Sequence, residues 1–194
     1  MHARSIYLAS VFLSLVTGAG AQGFDPEAIA EGLTRGDTAA IQSARGDAIE
    51  YLSGELRVSE RLAADEALGD AVAEAIASDD EFRVVNGLLV AGYLVTPTSL
   101  QKITPFLTDD RPGVRYAAYK AMRVSMDTIS EQASPSLQPD AALSAFGELE
   151  QAATDEIDPA LVEAGLRAIA AATSMSSTQM RPLEDRAALA LPTL

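Results

Sequence analysis

Two stretches decide the fold: Asp79-Asp80-Glu81-Phe82-Arg83, running into residues 84–94, and Asp109-Asp110-Arg111-Pro112-Gly113-Val114-Arg115, running into residues 116–126. Each opens on an acidic pair and reaches an apolar–Arg dipeptide. Each then places small or apolar residues seven and eight positions further on, Leu89 and Val90 in the first and Ala121 and Met122 in the second. An acidic pair suits a helix start, because its oxygens accept orphan backbone N–H groups and face the positive end of the dipole. The apolar residues that follow recur at helical spacing, so each stretch reads as one amphipathic helix with a single buried stripe. The anchors Phe82 and Val114 lie 32 residues apart, the length of one helical-hairpin repeat. Fainter copies anchor at Ile41, followed by Ala48 and Ile49, and at Leu161, followed by Ala168 and Ile169. They carry Gln42 and Val162 in place of the Arg, and the four anchors are spaced by 41, 32 and 47 residues.

Outward from these copies the helical signal continues. Asp25-Pro26-Glu27 is a cap, a first-turn proline and an acid; it opens a helix ending near Gly36. Asp37 opens a second through Leu52, and Ser53-Gly54 stops it. A third is expected from Ser59 to Ala77, with Leu62, Leu68, Val72 and Ile76 as its apolar stripe. Helices follow at about Glu81–Leu94, Pro97–Leu107, Pro112–Ile129, Asp140–Thr154, Pro159–Ala172 and Thr178–Leu191, with residues 131–139 as a loop. Short connections favour antiparallel neighbours. Gly46, Gly87, Gly92 and Gly165 are candidates for close helix approach; the plain alternative is a helix weakness of about 1 kcal/mol at each.

The pattern Asp109-Asp110, Val114-Arg115, Ala118, Ala121 and Met122 resembles the HEAT-repeat family in its bacterial form, best over residues 78 to 128. The resemblance implies an all-α fold. That fold is a right-handed α-solenoid of antiparallel helical pairs, HEAT- or armadillo-like, with eight or nine helices, and its usual role is to hold a protein partner. Stacking also follows from physics, since an isolated Ala-rich helix cannot bury its own stripe.

Residues 1–21 read as a secretory signal peptide. Arg4 is followed by an apolar run from Ile6 to Val16, then Ala19-Gly20-Ala21 before Gln22. The run falls short of the roughly 20 residues needed to cross a bilayer. The expectation is export, a periplasmic or secreted mature chain over residues 22–194 forming one HEAT-like domain, and no stable membrane insertion.

The chemistry is narrow. There is no Cys and no Trp, and the one His is His2. Residues 22–194 therefore offer no triad histidine, no thiolate and no His-ligated metal. The sequence carries 14 basic and 28 acidic residues, net −14, and losing Arg4 takes it to −15. That balance argues against nucleic acid as a partner. No cofactor is expected. Acids run without a base from Asp65 to Glu81 and from Asp127 to Glu163. Capping and solubility are the ordinary account of them, with Asp79, Asp109 and Asp158 at cap positions. The sharper alternative is a carboxylate-dependent envelope hydrolase or a cation-binding protein.

The candidate partner site is one face. With Val114 at the centre of the buried arc, Arg115, Tyr116, Tyr119, Lys120 and Arg123 fall on the opposite side, near Lys102 and Arg111. Residues 102–123 hold five basic and two acidic residues in an otherwise acidic chain. Tyr and Arg are enriched where interfaces concentrate their binding energy. The reading is a docking face for an acidic segment of a protein partner. In the bland alternative, Arg115 pairs with an acid of the neighbouring repeat and the others are simply solvated.

Overall fold

The computed structural model describes residues 24–132 and 135–191, so the residues read as a signal peptide lie outside the described residues. Among the described residues the protein is all-α, with nine α-helices and no strand. They are α1 Pro26–Arg35, α2 Thr38–Leu52, α3 Val58–Ile76, α4 Glu81–Leu94, α5 Pro97–Ile103, α6 Pro112–Glu131, α7 Pro139–Asp155, α8 Pro159–Ala171 and α9 Arg181–Ala190. Short 3-10 turns follow α5 at Thr104–Thr108 and precede α9 at Thr178–Met180. The helix expected over Pro97–Leu107 thus tightens halfway, at Thr104-Pro105, where the proline has no N–H to give.

Acids start the helices as expected, with shifts of one residue. Asp25, Asp37, Asp80 and Asp158 accept hydrogen bonds from the amides of Ala28, Ala40, Phe82 and Ala160 at 2.9–3.0 Å. Asp80 rather than Asp79 caps α4. Asp109 lies before α6, whose cap residue is Arg111, with no side-chain cap bond.

The helices sort into two rows. α2, α4, α6 and α8 pack in succession as one row. α1 packs on α3 and α7 on α9 in the other, where α5 bridges α3 and α7. The pairs α1–α2, α3–α4, α5–α6 and α7–α8 link the rows, and one continuous core of buried aliphatic residues runs between them. α9 closes the C-terminal side: Arg186 pairs with Glu150 of α7 at 2.8 Å and lies 5.8 Å from the Phe146 ring centroid.

In the inner row small residues set the spacing. A Cβ placed on Gly92 would sit 2.7 Å from the Ala121 carbonyl oxygen and 2.8 Å from its Cα, so α4 and α6 touch backbone to backbone there. The buried Ser125 hydroxyl donates to the Gly92 carbonyl at 2.9 Å, fixing the register. Gly87 faces Ala75 and Ile76 of α3, and Gly165 faces Ala153 of α7 and Tyr119 of α6. Gly46 meets nothing within 4 Å and mediates no approach.

Two residues of α3 exchange the expected places. Leu62, read as part of the buried stripe, is 47% exposed, and Arg61 is buried instead. The stripe that leads to Leu68, Val72 and Ala75 passes through Ala64 and Arg61; Leu62 is out of phase with it. Arg61 donates to the carbonyls of Tyr93 and Leu52, in the last turns of α4 and α2. Two negative helix ends therefore surround this guanidinium. Burial lowers its pKa, and its Nε hydrogen has no partner.

α4 ends at Val95 in a left-handed conformation, φ 54°. A β-branched residue there costs on the order of 1–3 kcal/mol. The strain is held because the Val95 side chain is fully buried and its carbonyl accepts the Ser136 hydroxyl at 2.8 Å.

Candidate functional site

α6 is an inner helix with α4 on one side and α8 on the other. At about 100° per residue its buried side spans roughly 200° of the circumference, from Ala117 through Val114 to Tyr119. The exposed residues between the first and last turns are Tyr116, Lys120 and Arg123, which share a window of about 60°. That window opens onto α8. Tyr116, Lys120 and Arg123 together with Ala160, Glu163, Ala164 and Arg167 of α8 line a groove of about 210 Å³.

The electrostatics of the groove are cationic. Arg167 and Glu163 pair one turn apart on α8, both well exposed. Arg123 pairs loosely with Asp127 at 3.4 Å, both about half-exposed. Among the described residues Lys120 is engaged in no ion pair. Exposed pairs of this kind hold by about 0–1 kcal/mol, so Arg123 and Arg167 are available to a competing carboxylate. The Tyr116 ring, half-exposed, and the two alanines supply apolar floor.

Four of the seven residues expected on this face stand elsewhere. Tyr119 is fully buried, not outward: its ring fills the seam between α6 and α8 beside Gly165. The outward placement assumes one packed side for α6, and α6 has two, against α4 and α8. The Tyr119 hydroxyl finds no hydrogen-bond partner, and burial, with the nearby Glu156 carboxylate, pushes its pKa up to about 12. Arg115 is a structural clamp. Its Nε lies 2.8 Å from Glu156, its Nη1 donates to the Asp109 carbonyl at 2.8 Å, and both members of the ion pair are largely shielded. Arg115 is thus paired with an acid of the next helical pair and is not part of an open face. Burial works against ionisation of Glu156. The Arg115 hydrogen bond and the amides of Asp158 and Ile157 outweigh it and hold the carboxyl below its ordinary range. Arg111 is bound to Asp109 through two bonds of 2.9 Å, and that contact holds the Asp109 carboxyl low despite its burial. Lys102, on α5, donates to the Gly69 carbonyl of α3 at 2.8 Å, on the other row.

Sequence reading missed the α8 half of the groove. The Glu163–Arg167 spacing of four residues was the available signal, and Arg167 stands six residues after Leu161 as Lys120 stands six after Val114.

The acid runs supply caps and a clamp at Asp80, Asp158 and Glu156. Among the described residues no group of three or more Asp, Glu or His is placed to hold a metal ion, and no helix is long and apolar enough to cross a membrane.

No protein-family model matches the chain, and no curated protein matches it. Among solved structures it is similar to the crystal structure of an engineered protein, at 18% identity and a TM-score of 0.53, over 84% of this chain and 68% of that one. At that identity the likeness concerns the helical fold alone.

Proposed function

We propose that the protein is a non-catalytic HEAT-like α-solenoid that works as a protein-interaction module, docking an acidic segment of its partner in the α6–α8 groove. The observation that carries this reading is the collection of Lys120, Arg123 and Arg167 around Tyr116 in a groove with one acid of its own, on a chain of net charge −14. Elsewhere several of its cations are spent on structure: Arg61 and Arg83 on helix-end carbonyls, Arg115 on Glu156, Arg111 on Asp109. Cations placed together and held at most by exposed pairs suit recognition of carboxylates, and long-range attraction would speed encounter. The alternation of helices between two rows supports the solenoid reading. The apolar run and small-residue triplet in residues 1–21 support export to the periplasm or medium.

The test is charge reversal. Lys120→Glu with Arg123→Glu removes two cations from the groove while leaving the buried side of α6 intact. Neither residue is buried, so stability should change by about 0.5 kcal/mol or less. An oligo-glutamate peptide, followed by fluorescence anisotropy, should bind the wild type, weaken with added salt and lose most of its affinity for the double variant. A folded double variant that binds the peptide with the same affinity and salt dependence defeats the proposal.

A further inference from the structure

A second groove lies on the other side of α6. It encloses about 590 Å³ and is lined by the end of α2, the start of α3, Tyr93 of α4, and Val124, Asp127, Thr128 and Glu131 of α6. Its charge is opposite to that of the first. Arg61 at its wall is turned onto two helix-end carbonyls, and Arg57 at its rim is paired with Glu60. Among the described residues the carboxylates of Glu55 and Glu131 are in no ion pair, and Asp127 is held only by its loose pair with Arg123. The two grooves meet at one contact: Arg123 lines the cationic groove, Asp127 lines the acidic one, and their ion pair is the ridge between them.

We infer that the two grooves form a single track across α6 and take an extended partner segment of mixed charge, its acidic residues at Lys120 and Arg167 and its basic residues at Asp127, Glu131 and Glu55. The inference rests on the docking reading above and adds the second half of the ligand. The ridge is no barrier. An exposed pair contributes about 0–1 kcal/mol, and a ligand carboxylate on Arg123 with a ligand cation on Asp127 replaces it by two pairs of the same kind. Length fits as well. From Tyr116 to Glu131 α6 rises about 22 Å at 1.5 Å per residue, which an extended chain covers in about seven residues. Apolar surface at Leu56, Tyr93 and Val124 gives the aliphatic stems of lysine or arginine a floor to lie on.

The probes are synthetic peptides of about nine residues: glutamates at one end and lysines at the other, in both chain directions, beside an all-glutamate and an all-lysine control. One block peptide should bind about tenfold tighter than the all-glutamate control, a difference of about 1.4 kcal/mol. Asp127→Asn with Glu131→Gln should erase that advantage and leave all-glutamate binding undiminished; the thermal transition by circular dichroism checks that the variant is folded. Equal binding of block and all-glutamate peptides, with the latter still sensitive to Lys120→Glu, overturns the track and leaves the docking reading standing. All-lysine binding as tight as that of the better block peptide also overturns it, because the acidic groove then acts alone. If neither glutamate-bearing peptide binds, the docking reading falls and the track falls with it.

Discussion

α6 makes two seams in the inner row, and they are built differently. Toward α4 the seam is closed by Gly92 against the Ala121 backbone and pinned by the Ser125 hydroxyl on the Gly92 carbonyl. Toward α8 the seam is held open by a whole aromatic ring, Tyr119 against Gly165, and bridged at one end by Arg115 and Glu156. Where glycine meets backbone the helices touch. Where tyrosine acts as the spacer, a groove remains above it, and Tyr116, Lys120, Arg123 and Arg167 line it. The cationic groove thus sits on the looser seam. The arginines of the two matching sequence stretches also differ. Arg83 of the first copy caps α1 through the Leu33 and Gly36 carbonyls at 2.7 and 3.0 Å, using no carboxylate. Arg115 of the second copy ties α6 to the turn after α7 through an ion pair.

The ion pair gives the largest break. Arg115→Met removes the cation and leaves Glu156 shielded without it. The expected loss is about 3 kcal/mol, the low end for breaking a largely buried pair by deleting one partner. The pH sign is fixed. Glu156 has its folded pKa depressed below the ordinary 4.5. Its contribution is therefore complete above that value and is lost as the pH falls through the lower folded pKa. Denaturant midpoints of wild type and variant should differ widely at neutral pH and converge below pH 4.5. A gap that stays constant into acid would mean Arg115 acts only through the Asp109 carbonyl.

The closed seam is tested by a sign. In an open helix interior, Gly→Ala stabilises by about 0.5–1 kcal/mol, and Gly46→Ala on α2, with nothing within 4 Å, should do so. At Gly92 the same methyl overlaps backbone, which no rotamer change relieves; overpacking of that kind costs about 1–3 kcal/mol. Gly92→Ala should therefore destabilise by about 1–2 kcal/mol net. Thermal unfolding of the two variants side by side reads the result, and equal signs would mean that α4 and α6 do not touch there.

Most of this frame is legible in the sequence. Helix starts at Asp25, Asp37, Asp80 and Asp158 follow from cap chemistry, which is local, and the bounds of α1 to α4 fall within a residue of expectation. What escaped was tertiary. Arg61 passed unnoticed because an arginine is not expected in a stripe unless two helix ends are known to converge on it. Tyr119 was placed outward because the second neighbour of α6 is invisible in the α6 sequence. Arg167 was missed because its proximity to Lys120 is a property of the seam and not of either helix.

Tyr119 carries the smallest test and the one that bears most directly on what a spacer is. Its ring fills the seam, but its hydroxyl is buried with no hydrogen-bond partner, which costs about 1–3 kcal/mol against the unfolded chain, where water satisfies it. Tyr119→Phe keeps the spacer and discards the penalty. The variant should gain about 1 kcal/mol and leave the groove and its peptide affinity unchanged, because every groove-lining side chain is retained. The absorbance titration supplies a second reading: a phenol pushed up to about 12 should disappear from the folded protein's titration, leaving the more exposed tyrosines. If the substitution instead lowers the unfolding midpoint, the hydroxyl is hydrogen-bonded in solution. In that case the α6–α8 seam is held by polar contact as the α4–α6 seam is by Ser125, and the contrast between the two narrows to the size of the spacer alone.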